Sequence, residues 1–177
     1  MTAVAYRNGV LAVDSLAQNG GFKLSPPADK AVAVEIAVGQ FALVAGAGSA
    51  VVVDRVRAWA LANLKDWARR SCPVDELPEI GPDDDTTVFI LLPDGRHFAL
   101  QECGGDRLTA PFFATGEFTF LLGAMAVGAS AASAVAAAAE YSVHCGWPIR
   151  IYDHKKGFRI ALQDMTQVRN WDRAERP

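Results

Sequence analysis

The stretch that decides the fold is residues 2–15, TAVAYRNGVLAVDS. Two short apolar runs, residues 2–7 and 10–14, flank Asn8-Gly9. An Asn-Gly pair between such runs is the strongest short-range signal for a β-hairpin, because both residues tolerate the positive φ angles of a tight turn. The pattern therefore predicts that the chain reverses here and returns residues 14 and 15 to the N-terminus.

The register of this hairpin decides which residue lies opposite Thr2. A two-residue turn sets Thr2 opposite Ser15, whereas a three-residue loop with Gly9 in a bulge sets Thr2 opposite Asp14. A slip of one residue moves every side chain of a strand to the other face of the sheet. The sequence leaves both registers open.

Thr2 is a candidate nucleophile, because removal of Met1 would leave it at the free N-terminus. An α-amine titrates at about 7.7–8.0, so part of it is unprotonated near neutrality. The amine can then take the proton of the threonine hydroxyl, which is how an N-terminal threonine is activated. Many chains begin with Met-Thr for other reasons, so the assignment depends on the rest of the sequence.

Three features follow Thr2 in a fixed order: Asp14-Ser15, then Lys30, then AGAGS at residues 45–49. With this order and spacing, the chain from Thr2 to about Leu162 resembles the β-type subunits of proteasomes and their bacterial relatives such as HslV. These are N-terminal nucleophile hydrolases. The resemblance implies an α+β fold, a four-layer αββα sandwich of two antiparallel sheets covered by helices, in a single domain over residues 1–177.

The resemblance also implies a role for each of these residues. Thr2 would be the nucleophile, Lys30 its electrostatic activator, Asp14 the carboxylate that orients Lys30, and the Gly46 backbone N–H the oxyanion donor. A lysine ammonium near the hydroxyl stabilises the alkoxide and lowers the pKa of the α-amine. A glycine backbone can approach substrate closely. The cleft would be lined by Ala17, Gln18, Ala28, Val44 and Gly48, and Gly48 is the alternative oxyanion donor.

Two groups of supporting residues depart from the family pattern. Most active relatives have Gly-Ser-Gly before the second long helix, where this chain has Thr115-Gly116-Glu117. Relatives also have an Asp three residues before Ser-Gly-Gly, where Ser142, Cys145 and Gly146 stand here. Thr2, Asp14 and Lys30 are all present while the residues that support them differ, which favours an active but unusual or slow peptidase. His144-Cys145 is a weak alternative catalytic pair, because adjacent side chains do not converge.

The resemblance implies a homo-oligomeric ring that cleaves polypeptides. We expect six or seven subunits per ring, in one ring or two stacked rings, with an ATP-driven unfoldase as a candidate partner and no cofactor or metal. Two alternatives stay open. One is a ring-forming homologue with impaired catalysis, and the other is a small-molecule amidase with the same nucleophile.

Composition narrows the class of protein further. Hydrophobic residues make up 51% of the chain and the net charge is −3, which predicts a folded protein without a basic nucleic-acid-binding surface. Cys72, Cys103 and Cys145 have no paired spacing and no secretory leader is evident, so reduced thiols in a cytoplasmic protein are expected. Residues 118–139 carry no charge, but their Ala, Gly and Ser content favours a buried helix over a membrane span.

The remaining elements follow from periodicity and turn signals. We expect further strands over residues 31–37, 41–45, 86–92, 96–101, 112–115, 147–152 and 158–162. Two long helices are predicted over residues 49–70 and 120–143. The acidic run at residues 83–85 is expected to be a solvated turn, and the polar tail 167–177 is expected to fray.

Overall fold

A computed structural model describes residues 2–19, 22–23, 27–82, 84–102 and 104–175, and for residues 18–19 and 22–23 it describes the backbone alone. Met1, Asp83, Cys103 and the side chain of Gln18, all of which enter the sequence analysis, lie outside the described residues. The described chain contains two five-stranded antiparallel sheets, a short two-stranded pair and four α-helices.

The first hairpin has a two-residue turn. Strands β1 (Ala3–Arg7) and β2 (Val10–Asp14) pair Arg7 with Val10, so the three-residue loop is excluded. Asn8 and Gly9 have φ angles of 52° and 81°, as the tight turn requires. This register places Asp14 and Ser15 beside the start of β1.

The hairpin forms the centre of one sheet, which we call sheet I. Its strand order is β10-β1-β2-β11-β12, so its strands come from both ends of the chain. The outer strands are β10 (Phe112–Gly116), β11 (Ile149–Asp153) and β12 (Gly157–Leu162).

The other sheet, sheet II, is a meander of five consecutive strands. They are β5 (Ala31–Ala37), β6 (Gln40–Ala47), β7 (Thr87–Leu91), β8 (His97–Gln101) and β9 (Gly104–Leu108). The short pair β3 (Gln18–Asn19) and β4 (Phe22–Lys23) lies in the connection between the sheets. Strand β9 was not predicted, because its sequence GGDRL lacks the apolar alternation of a half-buried strand.

Helices cover the outer face of each sheet. Helix α1 (Ala50–Arg69), which was predicted over residues 49–70, packs on β5 and β6 of sheet II, and a short 3₁₀ turn follows at Val74–Glu76. Helices α2 (Phe118–Ala126) and α3 (Ala131–Tyr141) pack on sheet I, and α4 (Met165–Ala174) packs on α3. None of the described helices is both long and apolar enough to cross a bilayer.

The two sheets face each other across an apolar layer. Alternate residues of β1 and β2 point into it, while the residues between them point to the helices. The buried side chains between the sheets include Val4, Leu11, Val13, Leu43, Phe89 and Leu91. The predicted four-layer αββα sandwich is thereby confirmed.

The predicted helix over residues 120–143 is wrong, because two helices occupy this segment. Gly128 has φ 103° and interrupts the helix after α2. Ser130 then caps α3, with its side chain accepting a hydrogen bond from the Ser133 N–H. The run of small residues concealed this break, since Ala, Gly and Ser alternate without a proline or charged boundary.

The predicted fraying of residues 167–177 is also wrong for the part that the structure describes. Residues up to Ala174 form α4, which begins at the Asp164 cap and buries Val168 completely. The Arg159 guanidinium lies over the Trp171 ring at 4.9 Å. Val168 and Trp171 pack this otherwise polar helix on the apolar cluster around α3, and the Ser130 and Ser133 hydroxyls donate to the Asp172 carboxylate.

Candidate active site

Thr2 is held from both sides at the start of the central strand of sheet I. Its carbonyl oxygen accepts a hydrogen bond from the Glu117 N–H at 3.0 Å. The following amide, Ala3 N–H, donates to Asp14 Oδ1 at 2.9 Å. Thr2 is 9% exposed and lines a cavity of about 450 Å³. The backbone around a candidate nucleophile is therefore fixed, while its side chain borders open space.

Asp14 is a fully buried carboxylate with four hydrogen bonds. Its Oδ1 accepts from Ala3 N–H and from Lys30 Nζ at 2.8 Å. Its Oδ2 accepts from the backbone N–H groups of Leu16 at 3.1 Å and Gly146 at 3.2 Å. A buried charge is tolerated when it is paired and its lone pairs are satisfied. Asp14 thus ties four separate segments of the chain to one point.

Lys30 lies just before β5, and its side chain is 11% exposed. The ammonium contacts the buried carboxylate of Asp14, while the residue lines the same cavity as Thr2. The ion pair holds the lysine in one place and keeps a positive charge at the cavity wall. A fixed cation beside a hydroxyl favours the alkoxide.

The glycines at the end of β6 are required by close packing. A Cβ on Gly46 would lie 2.8 Å from Val88 Cγ2 and 2.9 Å from the Thr87 carbonyl oxygen. Gly48 has φ 119°, and a Cβ there would lie 2.2 Å from the Asp85 carbonyl oxygen. Both glycines line the cavity, so this wall consists of bare backbone.

The cavity brings together most of the residues that the sequence singled out. Its full lining is Thr2, Leu16, Ala17, Ala28, Asp29, Lys30, Gly46, Gly48, Ala50, Val53, Asp54 and Arg57. Asp14 lies behind Lys30 rather than in the wall. The catalytic roles of these residues stay predictions.

Val44 is misplaced in the sequence analysis. It is fully buried in the core between sheet II and α1, together with Ala42 and Val56. Side chains of β6 at even positions face α1, and Val44 lies too far along the strand to reach the cavity at its end. Val53 of α1, which the sequence analysis did not select, lines the cavity instead.

The cavity also has a charged rim that the sequence analysis missed. Arg57 Nη1 donates to the Asp29 carbonyl oxygen at 2.6 Å and to Asp54 Oδ1 at 2.9 Å. The Tyr152 hydroxyl donates to Asp29 Oδ1 at 3.0 Å, and burial together with the Asp29 charge raises the pKa of Tyr152. The only signal in the sequence is the Asp54–Arg57 spacing, which predicts no more than a surface pair on a helix.

The residues that depart from the family pattern meet each other beside Thr2. Gly116 has φ 80°, and a Cβ there would lie 1.6 Å from the Thr2 carbonyl oxygen. The Ser142 hydroxyl donates to Glu117 Oε1 at 2.9 Å and accepts from the His144 N–H at 3.2 Å. The substituted positions therefore form a connected group, although they are distant in sequence.

Cys145 completes this group but is unsuited to be a nucleophile. Burial raises the pKa of its thiol to about 12, and the negative charges of Asp14 and Glu117 act in the same direction. Lys30 opposes them. The thiolate is the reactive form of cysteine, so Cys145 is unreactive at neutral pH.

A second cavity of about 470 Å³ adjoins the first across Leu16, which lines both. Ser15, Cys145 and Gly146 lie in its wall. The Ser15 hydroxyl is buried there without a hydrogen-bond partner among the described residues. No group of three or more His, Cys, Asp or Glu in the described chain could hold a metal ion.

Solved structures show where this fold has been seen. Anbu (ancestral beta-subunit) from Yersinia bercovieri matches with a TM-score of 0.65 and 14% identity over 100% of this chain and 98% of that one. The Anbu (Gly-1) mutant from Hyphomicrobium sp. strain MC1 matches with a TM-score of 0.64 and 15% identity over 98% and 94%. BPH from Thiobacillus denitrificans, solved in complex with epoxomicin, matches with a TM-score of 0.57 and 19% identity over 87% and 97%.

The chain has the fold of these proteasome-like proteins. At such low identity the likeness concerns the fold alone. No protein-family model matches the chain, and no curated protein does so either.

Proposed function

We propose that the chain is a threonine peptidase subunit of a proteasome-like assembly, with Thr2 as the nucleophile after removal of Met1. The observation that carries the proposal is the buried Asp14–Lys30 pair beside Thr2. A buried ion pair is weak evidence for stability, since an apolar pair of similar size is often at least as stable. Because Lys30 of this pair lines the same cavity as Thr2, a role in catalysis is favoured.

The proposed reaction begins with transfer of the Thr2 Oγ proton to the α-amine of the same residue. The oxygen attacks the substrate carbonyl carbon, and Lys30 stabilises the negative charge on the attacking oxygen. The substrate carbonyl oxygen becomes an oxyanion, which accepts a hydrogen bond from the Gly46 backbone N–H. The α-amine then gives its proton to the departing amide nitrogen, and the C–N bond breaks. Water activated by the same amine hydrolyses the resulting ester.

The cavity favours a small or medium apolar residue before the cut. Its apolar lining comes from Ala17, Ala28, Ala50 and Val53. The charges of Arg57 and its partners at the rim are already paired with each other. A panel of fluorogenic peptides with apolar, acidic or basic residues at this position tests the preference, and faster cleavage after a charged residue would contradict it.

We further propose self-assembly into rings of six or seven subunits, in one ring or two stacked rings. Several apolar side chains on the outer helices are exposed, including Phe118 at 56%, Val127 at 89% and Tyr141 at 81%. Burial of such residues between copies of the chain is favourable. A related fold carries the name beta-subunit. An ATP-driven unfoldase is the partner that such a ring would need for folded substrates.

The decisive experiment combines intact mass with activity. The protein made in cells should have lost Met1, should cleave peptides, and should gain the mass of epoxomicin, the compound bound in the BPH structure. Thr2→Ala should abolish cleavage and labelling without changing the assembly. Cleavage by protein that retains Met1 would exclude Thr2 as nucleophile. Assembly without cleavage or labelling would instead support the non-catalytic scaffold.

A further inference from the structure

The backbone of Glu117 is hydrogen-bonded to the backbone of Thr2. Its N–H donates to the Thr2 carbonyl oxygen at 3.0 Å. Three bonds separate that oxygen from the Thr2 amine nitrogen, so the amine lies in the same corner of the structure. The neighbouring Gly116 packs so closely on Thr2 that no side chain fits between them. Glu117 therefore borders the N-terminus without an intervening residue.

The side chain of Glu117 is held in position from the other side. Ser142, in the loop after α3, donates its hydroxyl to Glu117 Oε1 at 2.9 Å. The same hydroxyl accepts the His144 N–H. Cys145 in this loop lies near enough to both Glu117 and Lys30 to experience their charges. Glu117 is therefore tied to Thr2 through its backbone and to Ser142 through its carboxylate, while Lys30 lines the cavity that Thr2 also lines.

We propose that Glu117, oriented by Ser142, is the counter-ion of the Thr2 α-amine and restrains its use as a base in neutral and acidic solution. This inference rests on the proposed function, since it requires a free amine on Thr2. The carboxylate takes no proton in the reaction. Glu117 is thus a positioning residue, and the amine remains the group that accepts the Thr2 Oγ proton.

The direction of the effect follows from the sign of the charge. An opposite charge within about 4–6 Å favours the charged form of a group, so Glu117 stabilises the ammonium. Lys30 acts in the opposite direction. The other charged or titratable side chains around Thr2 are Asp14 on β2, Cys145 after α3, and Asp29, Asp54 and Arg57 at the cavity rim. The charge of Asp14 is compensated by Lys30, which leaves Glu117 as the carboxylate available to the amine.

The test is a direct titration of the amine. In protein shown by mass to begin at Thr2, the rate of reductive methylation of the α-amine is measured against pH by mass spectrometry of the N-terminal peptide. We expect Glu117→Gln, which keeps the size and the backbone N–H, to lower the amine pKa by about one unit. Ser142→Ala should lower it by less. Glu102→Gln, an exposed carboxylate after β8, is the matched control and should leave it unchanged.

Peptide hydrolysis gives a second readout that a purely structural role would not produce. The acidic limb of the kcat/KM profile should move to lower pH in Glu117→Gln, so that below the wild-type amine pKa the variant is several-fold faster. A uniform loss of activity at every pH would overturn the inference.

The two proposals fail separately. If the amine pKa changes in the variants but no peptide is cleaved, the role of Glu117 as counter-ion is supported and the peptidase function is excluded. If peptides are cleaved while Glu117→Gln and Ser142→Ala both leave the amine pKa unchanged, the counter-ion role is excluded and the peptidase function is supported. Should Glu117→Gln not fold, the Ser142→Ala titration alone decides.

Discussion

At the scale of single residues, Asp14 is the centre of the site. It joins the start of β1, the end of β2, Lys30 and the loop before β11 through one buried carboxylate. Both oxygens bind backbone N–H groups, whereas only Oδ1 contacts Lys30, which it is proposed to orient. Substitutions here should therefore affect stability and activity to different extents.

We expect Asp14→Ala to destabilise the protein by about 3–5 kcal/mol, because it leaves buried N–H donors and the Lys30 ammonium without a partner. Lys30→Met should cost less, about 1–3 kcal/mol, since three backbone N–H groups still bind the carboxylate. Urea denaturation measures both. Lys30→Met should nevertheless abolish peptide cleavage. Equal stability losses for the two variants would contradict this account of Asp14.

Gly116 offers a second test at this scale. Gly116→Ala would place a Cβ 1.6 Å from the Thr2 carbonyl oxygen at φ 80°, so Thr2 must move. We expect a loss of more than about 3 kcal/mol in stability together with loss of cleavage. Gly39→Ala is the matched control. Gly39 has φ 66° with no atom near the added Cβ, so the cost is about 1 kcal/mol from the backbone alone and activity is retained.

At the scale of elements, the sequence predicted what local signals determine. Asn8-Gly9 specified the first hairpin, and the periodicity of residues 49–70 specified α1, which spans Ala50–Arg69. The spacing of Thr2, Asp14 and Lys30 indicated residues that the fold does bring together. The sequence did not predict contacts between segments that are distant along the chain. The loop at the Gly128 break contacts Arg7, whose Nη1 donates to the Ala129 carbonyl oxygen at 2.9 Å, and the charged rim joins Arg57 to Asp29; both contacts are distant in sequence.

The α2–α3 break can be tested with two glycines on the same helical hairpin. Gly123 lies within α2, is exposed, and has no atom near an added Cβ, so Gly123→Ala should stabilise by about 0.5–1 kcal/mol. Gly128 has φ 103°, so Gly128→Ala should destabilise by about 1–2 kcal/mol. Thermal unfolding of both variants measures the difference. Stabilisation by both would mean that residues 118–141 form one continuous helix.

At the scale of the whole molecule, a histidine joins the two sheets at the end remote from Thr2. His154 Nδ1 lies 2.8 Å from the Phe41 carbonyl oxygen of sheet II, which can only accept, so Nδ1–H is the donor. In the neutral imidazole, which burial favours, Nε2 then accepts the Tyr6 hydroxyl of sheet I at 2.9 Å. His97 stacks on the His154 ring at 6.4 Å. This arrangement fits a neutral imidazole at His154.

Stability should fall in acid because of this pair. Burial lowers the pKa of both imidazoles below 6.5, and for His97 the neighbouring His154 adds to the effect. The unfolded chain then binds protons that the folded chain does not, so stability is highest above pH 6.5 and declines as the pH falls below it. Urea midpoints between pH 8 and pH 5 measure the decline. His97→Phe keeps the ring against Tyr6 and should show a shallower decline; an unchanged slope would exclude His97.

The proposed assembly is tested at the same scale. Light scattering at micromolar concentration should give a mass of at least six subunits. Val127→Asp, which places a charge on an 89% exposed apolar position of the outer helical layer, should reduce that mass without unfolding the chain. Val38→Asp is the matched control, because Val38 is 98% exposed but lies in the β5–β6 turn on sheet II. A stable monomer in the wild type would exclude the ring.

The strand order has a consequence for synthesis on the ribosome. Sheet II is a continuous meander within residues 31–108 and can pair as it emerges, whereas β1 and β2 must wait for β10 and β11. Such delayed pairing of distant segments is slow, and it leaves the first hairpin without neighbours for most of translation. Gly146, whose N–H donates to Asp14, is also synthesised late. On the proposed function, we therefore expect the nascent chain to have no peptidase activity until these late segments have been synthesised and paired.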